Sequence, residues 1–548
     1  MRLLLLLALV LCLSIAGGCT RQEKEPPPKP DPSVTLRIVH GPELRSFLSS
    51  RRESFYLTEP KLIDGTKVKL DFVSELGSIA AELLARGEIK SEGWLAPSTS
   101  LVNFVNSSIK NLGAPQRECV PLFSTPLVVA VHPSTIETFH SSGQEFSWNE
   151  LIQRELHFRG EEGAAAARVS FSHATPRLST TGLSALIQIA YFSVPAEEKT
   201  VNVNWLNSEH TRTMLARHES LVSDYSVSES VLLNRVAQPE PLRVRFAVTT
   251  EQQLLLFNGS QTSPQTRLLA LYPLEGSYWD DYQLCTSAAD WVTPAHRAAM
   301  QLFVSFLQQQ ESQQAAAKLG YRPSVSDKVE LPTENSGVRF SLPAKNLPPV
   351  SGEVVAELVK SWPDLRRPAA LAIVLDTSGS MEGLPLDSAK HELRALVARM
   401  SRRDLKALVT FSSQPRIDSP FIDDPTKFIP LLDRANAVGG SALYDAVRNG
   451  VELITSSQLQ SYRKTLLVIT DGDDKNSQSS LTSLVDFLQD KFGRTDISLI
   501  VIGLAGEGRD YTDLKEVVRA TNGVFRESTP SDLPRLFVEL ASSIQGLA

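Results

Sequence analysis

Four largely apolar runs punctuate the last third of the chain: Leu371 to Leu375, Leu405 to Phe411, Lys464 to Thr470 and Ile497 to Leu504. A strand that is apolar at consecutive positions, rather than at alternate ones, is covered on both faces. Stretches of helical periodicity fall around these runs. Pro385 to Met400 places Leu386, Ala389, Leu393, Leu396 and Val397 on one side, and Ser441 to Ile454, Leu481 to Lys491, Thr512 to Ala520 and Ser531 to Ile544 follow the same logic. Strand–helix alternation of this kind predicts a parallel, doubly wound, Rossmann-like sheet over residues 366–545, with right-handed crossovers. The loops that matter in such a sheet leave the carboxyl ends of the strands.

Three of those loops carry oxygen ligands. Asp376-Thr377-Ser378-Gly379-Ser380 follows the first apolar run, Gly439-Gly440-Ser441 opens a helix, and Thr470-Asp471-Gly472 follows the third run. Asp376, Ser378, Ser380, Ser441 and Asp471 are expected to face one cation. Carboxylate plus neutral hydroxyl oxygen suits a hard divalent ion, Mg²⁺ first, with Mn²⁺ or Ca²⁺ as alternatives. Two aspartates offset about two charges and three hydroxyls add none, so the ion stays electrophilic. This set resembles the metal-ion-dependent adhesion site of the von Willebrand factor A (vWA) domain. Ser441 stands where that family commonly has threonine, which keeps the hydroxyl and loses the methyl. The resemblance implies binding of a protein partner through an incoming Asp or Glu carboxylate. Asp473 and Asp474 read as a solvated loop rather than as ligands.

The opposite end of the chain reads as a targeting segment. Arg2 precedes the apolar stretch Leu3 to Ile15 and then Ala16-Gly17-Gly18-Cys19. The stretch is short for a membrane span and long enough for a signal core. Small residues before a cysteine resemble the bacterial lipoprotein cleavage box. That resemblance implies a signal peptide over residues 1–18 and lipidation of Cys19, with the acyl chains holding the protein to a membrane. Thr20, where aspartate would favour the inner membrane, implies the outer membrane in a Gram-negative cell. Residues 19–32, with Pro26-Pro27-Pro28 at their centre, form an expected extended stalk. The expected location is the cell envelope, outside the cytoplasm. Of the four cysteines, Cys12 leaves with the signal and Cys19 is lipidated. Cys119 and Cys285 remain, expected to pair in an oxidising compartment, with two buried thiols as the alternative.

Residues 33–325 again alternate strands and helices: strands at Val34 to Val39, Val68 to Val73 and Leu127 to Val131, helices at Glu43 to Ser50, Ser78 to Ala85, Gly182 to Phe192 and Ala295 to Lys318. That is an α/β layer with mostly parallel strands. Phe123-Ser124-Thr125-Pro126-Leu127-Val128-Val129, Phe146-Ser147-Trp148-Asn149-Glu150-Leu151, Ser179-Thr180-Thr181-Gly182, Leu271-Tyr272-Pro273-Leu274-Glu275-Gly276 and Leu319-Gly320-Tyr321-Arg322-Pro323 together resemble bacterial extracellular solute-binding proteins. The implied fold is periplasmic-binding-protein-like (type II): two α/β lobes, crossing strands near 123–129 and 271–276, and a ligand cleft between. Cys119 and Cys285 would then sit beside the crossing strands. The cleft residues implied are Gly41, Ser98, Ser100, Ser179, Thr180 and Thr181, with Thr99 beside them. Helix amides and hydroxyls of this kind hold oxygen-rich ligands, although the same hydroxyls also cap helices. Trp94 occupies a place where that family often has an acid, which argues against small-anion specificity. Residues 326–365 read as a proline-containing linker with a short docking helix.

Other function classes find no support in the sequence. A net charge of −7 and the lack of a basic stripe argue against nucleic-acid binding. There is no His-Glu-x-x-His helix, no phosphate-cradling Gly-Lys-Ser/Thr loop and no Gly-x-Ser-x-Gly elbow. An aspartate-nucleophile phosphatase would need an acid two places after Asp376, and Ser378 stands there. The expectation is therefore a non-enzymatic, membrane-anchored binding or adhesion protein that uses a divalent cation to grip an acidic protein residue. The alternative is a solute receptor for an ABC-type uptake system, with the metal domain as an accessory.

Overall fold

The computed structural model describes residues 32–545, apart from 112–117, 140–143, 153–168, 196–197, 199, 227–228, 238–243, 325–328, 333–335, 341–344, 473, 496, 505–509 and 522. The leader, Cys19, the proline-rich stretch as far as residue 31, and Asp473 lie outside the described residues. No described helix is long and apolar enough to cross a membrane.

The first domain is two α/β lobes sharing crossing strands. In the first lobe, Ser33–His40 pairs in parallel with Lys67–Ser74 on one side and with Gly93–Ala96 on the other. In the second, Val169–Ala174 lies parallel to both Val222–Ser226 and Val244–Thr250. The long strand Glu118–Val131 runs from one lobe to the other. It pairs antiparallel with Ser277–Thr286 in the first lobe and with Val244–Thr250 in the second.

The expected return at 271–276 is displaced. Leu269–Pro273 is a strand of the second lobe, paired with residues 129–131. The chain turns at Gly276 (φ 124°) and comes back along Ser277–Thr286. Cys285 therefore lies within the returning strand, directly opposite Cys119, and the two are disulfide-bonded. Arg322–Pro323 adds a short third pairing at Phe123 and Ser124. The helix expected from Ala295 to Lys318 is two helices, Pro294–Leu307 and Gln310–Lys318. Gln309 is extended between them, and the Gln313 amide holds the Leu307 carbonyl at 2.9 Å.

The segment read as a linker contains a 14-residue helix, Gly352–Leu365, that lies across both lobes. Its apolar residues Val354, Val355, Leu358, Trp362 and Leu365 are buried in a core cluster that also contains Leu101 and Val105 of the first lobe and Leu186, Leu206 and Leu215 of the second. Backbone bonds fix its entry: Val350 N–H donates to Ser100 Oγ (2.9 Å), and the Asn103 side chain donates to the Val350 carbonyl (2.9 Å). At its far end Trp362 donates to Glu219 Oε2 at 3.1 Å. Glu219, fully buried, also accepts from the Tyr225 hydroxyl (2.5 Å) and lies 3.3 Å from His173 Nε2. This helix is a strap rather than a loose connector.

The second domain has six strands in the order Pro415–Ile422, Leu405–Phe411, Ala369–Asp376, Arg463–Thr470, Ile497–Leu504, Val524–Ser528. All pairings are parallel except that of the first edge strand, Pro415–Ile422. The four apolar runs are the four inner strands, and Ala369–Asp376 and Arg463–Thr470 are buried at every position. Separate apolar clusters cover the two faces, as continuous apolar strands require. Both edge strands escaped the sequence reading because their residues are half exposed and mixed in polarity. The base of the sheet is tied by a buried pair, in which Arg366 donates to Asp404 Oδ1 at 3.0 Å and Oδ2 at 2.6 Å. Arg463, also buried, sits 4.8 Å from the centre of the Tyr225 ring, joining this domain to the second lobe.

Candidate functional site

The strand order places the carboxyl ends of Ala369–Asp376 and Arg463–Thr470 side by side, at the point where successive strands leave in opposite directions across the sheet. Asp376 ends the first strand with no exposed surface. Its Oδ1 accepts from Ser378 N–H (2.8 Å) and its Oδ2 from the Thr470 hydroxyl (2.5 Å). Ser378 and Ser380 hydroxyls lie 3.1 Å apart, and Ser380 Oγ donates to Asp471 Oδ1 at 3.0 Å. Asp376, Ser378, Ser380 and Asp471 thus form one oxygen chain across two loops.

The third loop is brought in by its backbone. Gly379 N–H donates to the Gly439 carbonyl (3.0 Å), and Val438 N–H to the Thr377 carbonyl (2.8 Å). Ser441 N–H donates to Asn476 Oδ1 (3.0 Å). Gly440 is needed here, because a Cβ would fall 1.9 Å from that same amide oxygen. Asn476 is a positioning residue the sequence reading missed; a polar side chain two residues from an aspartate is too common to be a signal. Asp474 is not merely solvated. Its Oδ1 accepts from Tyr444 N–H and the Ser477 hydroxyl, so it caps the helix Leu443–Ile454 that follows Ser441.

The Ser441 hydroxyl oxygen is buried and has no hydrogen-bond partner among the described residues. Leaving such a group unpaired costs about 1–3 kcal/mol, so its environment is incomplete without a further partner. Burial pushes the Asp376 carboxyl up to about 6 against the hydrogen bonds from Thr470 and Ser378, and Asp471 adds to the rise. Two carboxylates and three hydroxyls, one of them orphaned, fit a hard divalent ion. Among the described residues no three His, Cys, Asp or Glu converge as a metal set, consistent with a site whose other donors are hydroxyls.

Residues named for the cleft separate into two groups. Ser98 accepts from Leu101 N–H at 3.3 Å and starts the helix Thr99–Asn111, while Ser100 bonds the Tyr278 hydroxyl (2.6 Å) and the strap. Both are spent on structure. Thr99 donates its N–H to Asp281 at 2.7 Å. Ser179 caps its own helix through Gly182 N–H (3.1 Å) and donates to Glu229 at 2.5 Å. Thr180 Oγ1 lies against Gly77 of the first lobe, and Thr181 is buried beside it. A Cβ at Gly41 would fall 2.1 Å from Glu43 Oε1, so that glycine makes room for a carboxylate. Trp94 is a core residue rather than a cleft residue.

The lobes are closed on each other. Ser78 donates to the Pro176 carbonyl across them (3.2 Å), and Ser184 to Asp280 Oδ1 (2.5 Å). Burial, then the nearby Asp281, Glu43 and Glu229 charges, push Asp280 up to about 8; burial and Glu229 push Glu43 to about 7. A carboxyl raised by folding stabilises the fold in acid, and that contribution is lost as pH climbs through the raised value. The melting temperature of the full chain is therefore expected to fall between pH 5 and pH 8.5, and Asp280→Asn to flatten that slope. An unchanged slope in thermal melts of the variant would refute this.

The von Willebrand factor type A domain family matches residues 371–473. A curated relative, the uncharacterised protein sll0103 of Synechocystis sp., is 25% identical over 118 residues, which is 21% of this chain and 28% of the relative. The chain thus spans little more than a quarter of that relative's length. A solved von Willebrand factor type A structure from Catenulispora acidiphila is 20% identical, with 33% of this chain and 43% of that one covered and a TM-score of 0.30. The periplasmic binding protein AfuA from Actinobacillus pleuropneumoniae is 13% identical, with 61% and 98% covered and a TM-score of 0.42. The three loops and the family match meet on one stretch: residues 371–473 of this chain are a von Willebrand factor type A domain, within a sheet that runs on to Ser528.

Proposed function

We propose that this protein is a lipid-anchored, extracytoplasmic binding protein whose vWA domain grips an acidic residue of a protein partner through a divalent cation, without enzymatic activity. The observation that carries this reading is the buried, partnerless Ser441 hydroxyl beside the linked oxygens of Asp376, Ser378, Ser380 and Asp471. When bound, the ion supplies an electrophilic position that a carboxylate can occupy. The chain supplies the rest. Asp376 and Asp471 provide the charge, directly or through water, and the hydroxyls provide oxygen without further charge. Thr470 and Ser378 N–H hold the Asp376 carboxylate in a single orientation.

Titration calorimetry of the full chain with Mg²⁺ and Mn²⁺ tests it. A binding heat is expected in the wild type and its loss in Asp376→Ala, with at least tenfold weakening in Ser441→Ala. Equal heats in the wild type and Asp376→Ala would remove the site. Pull-down from envelope extract with and without chelator then reads the partner.

A second reading, a receptor for a small solute between the lobes, is favoured by a separate observation. Several carboxylates with no ion pair among the described residues meet where the two lobes touch.

A further inference from the structure

We propose that the junction of the lobes is a binding site for an organic cation, a primary ammonium or guanidinium group, held by Asp280, Glu43 and Glu229. The proposal rests on the solute-receptor reading and names the ligand class. Its three acids come from three different elements. Asp280 is on the returning crossing strand, Glu43 is on the turn after the first strand, and Glu229 opens the helix Glu229–Val236 of the second lobe.

Asp280 is 1% exposed, and its Oδ2 has no partner among the described residues. Its Oδ1 accepts from Ser184 of the second lobe (2.5 Å), so the carboxylate sits at the lobe junction. Glu43 Oε1 accepts from the Tyr282 hydroxyl (3.3 Å), which stands two residues from Asp280 on the same face of the strand. Glu229 takes the Ser179 hydroxyl at 2.5 Å. Asp281, the fourth acid, is occupied by Thr99 and Gln283. Among the described residues none of these four carboxylates forms an ion pair with Lys, Arg or His.

A buried carboxylate without a counter-charge, as at Asp280, is costly, and it favours whatever cation can reach it. A cluster of acids disfavours an anion. Acceptors spread over three elements suit a ligand with several N–H groups. The raised carboxyls at Asp280 and Glu43 add a second signature: the cation must ionise them, so affinity rises with pH. The groups facing Asp280 are Glu43, Asp281, Glu229, the Ser184 hydroxyl and the phenols of Tyr278, Tyr282 and Tyr321.

The test is thermal unfolding and calorimetry of the full chain in chelator, which silences the vWA site. The probes are putrescine, spermidine and agmatine, with choline, inorganic phosphate and glucose as comparisons. At least one N–H cation is expected to raise the melting temperature by several degrees and to bind more tightly at pH 8.5 than at pH 6. Asp280→Asn and Glu43→Gln are each expected to weaken that binding at least tenfold. Both remove charge without volume, and melts without ligand establish that they fold. Equal binding in both variants, or a better response to choline than to the N–H cations, would overturn the proposal. A response to phosphate or glucose alone would overturn the cationic class and leave the solute reading standing. Silence toward every probe would overturn both.

Discussion

Replacing Glu219 with alanine is expected to lower the unfolding free energy by about 3–5 kcal/mol, the range for stripping one partner from a buried charged network. Three donors converge on this one carboxylate: the Tyr225 hydroxyl, Trp362 Nε1–H and His173 Nε2. All four residues are buried. Burial pushes the Glu219 carboxyl up, but the His173 charge and the hydrogen bonds from His173, Tyr225 and Trp362 outweigh it and hold it below the usual range. That stabilisation is full at neutral pH and drains away as the pH falls through the folded value. Urea unfolding at pH 7 checks the size of the loss, and repeating it at progressively lower pH should narrow the gap between wild type and variant. Glu219→Gln keeps an acceptor oxygen and should recover part of the loss. A change in the alanine variant below about 1 kcal/mol would show that the donors find other partners.

Replacing both Cys119 and Cys285 with serine is expected to cost about 3–5 kcal/mol of first-domain stability. The bond closes a loop with a sequence separation of 166 residues. In the chain-entropy account, the unfolded state regains roughly 5 kcal/mol of freedom when a loop of that size opens. The expected signature is a lower midpoint with a larger denaturant slope, since a freer unfolded chain exposes more surface. Melting with and without a thiol reductant reads the same effect in the wild type. Equal midpoints would mean that the crossing strands hold themselves together without the bond.

Legibility in the sequence followed burial. The four inner strands of the vWA sheet announce themselves because each is apolar at nearly every position, and parallel burial is what such a run means. The edge strand Pro415–Ile422 carries Arg416, Asp418 and Ser419 among its apolar residues, and its pairing slips register twice; no periodicity survives that. Asp376, Ser378 and Ser380 were readable from fixed spacing after a strand, and Ser441 and Asp471 from their positions at other strand and helix ends. Their neighbour Asn476 was not, because its importance comes from one backbone N–H in another loop. In the first domain the hydroxyls at 98–100 and 179–181 drew attention to the cleft, whereas the acids at the lobe junction did not. Glu43, Glu229 and Asp280 are scattered along the chain and become a group only once the crossing strand returns at Ser277.

The strap ends at Leu365, and the central vWA strand begins at Ala369. With so few residues between them, and with Arg403 of the vWA domain donating to the carbonyls of Pro363 and Asp364, there is little slack to absorb a pull. A tug applied at the Asp376 end of that strand would pass along it into a rod bolted to both lobes, and mechanical load on one domain becomes a torque on the other.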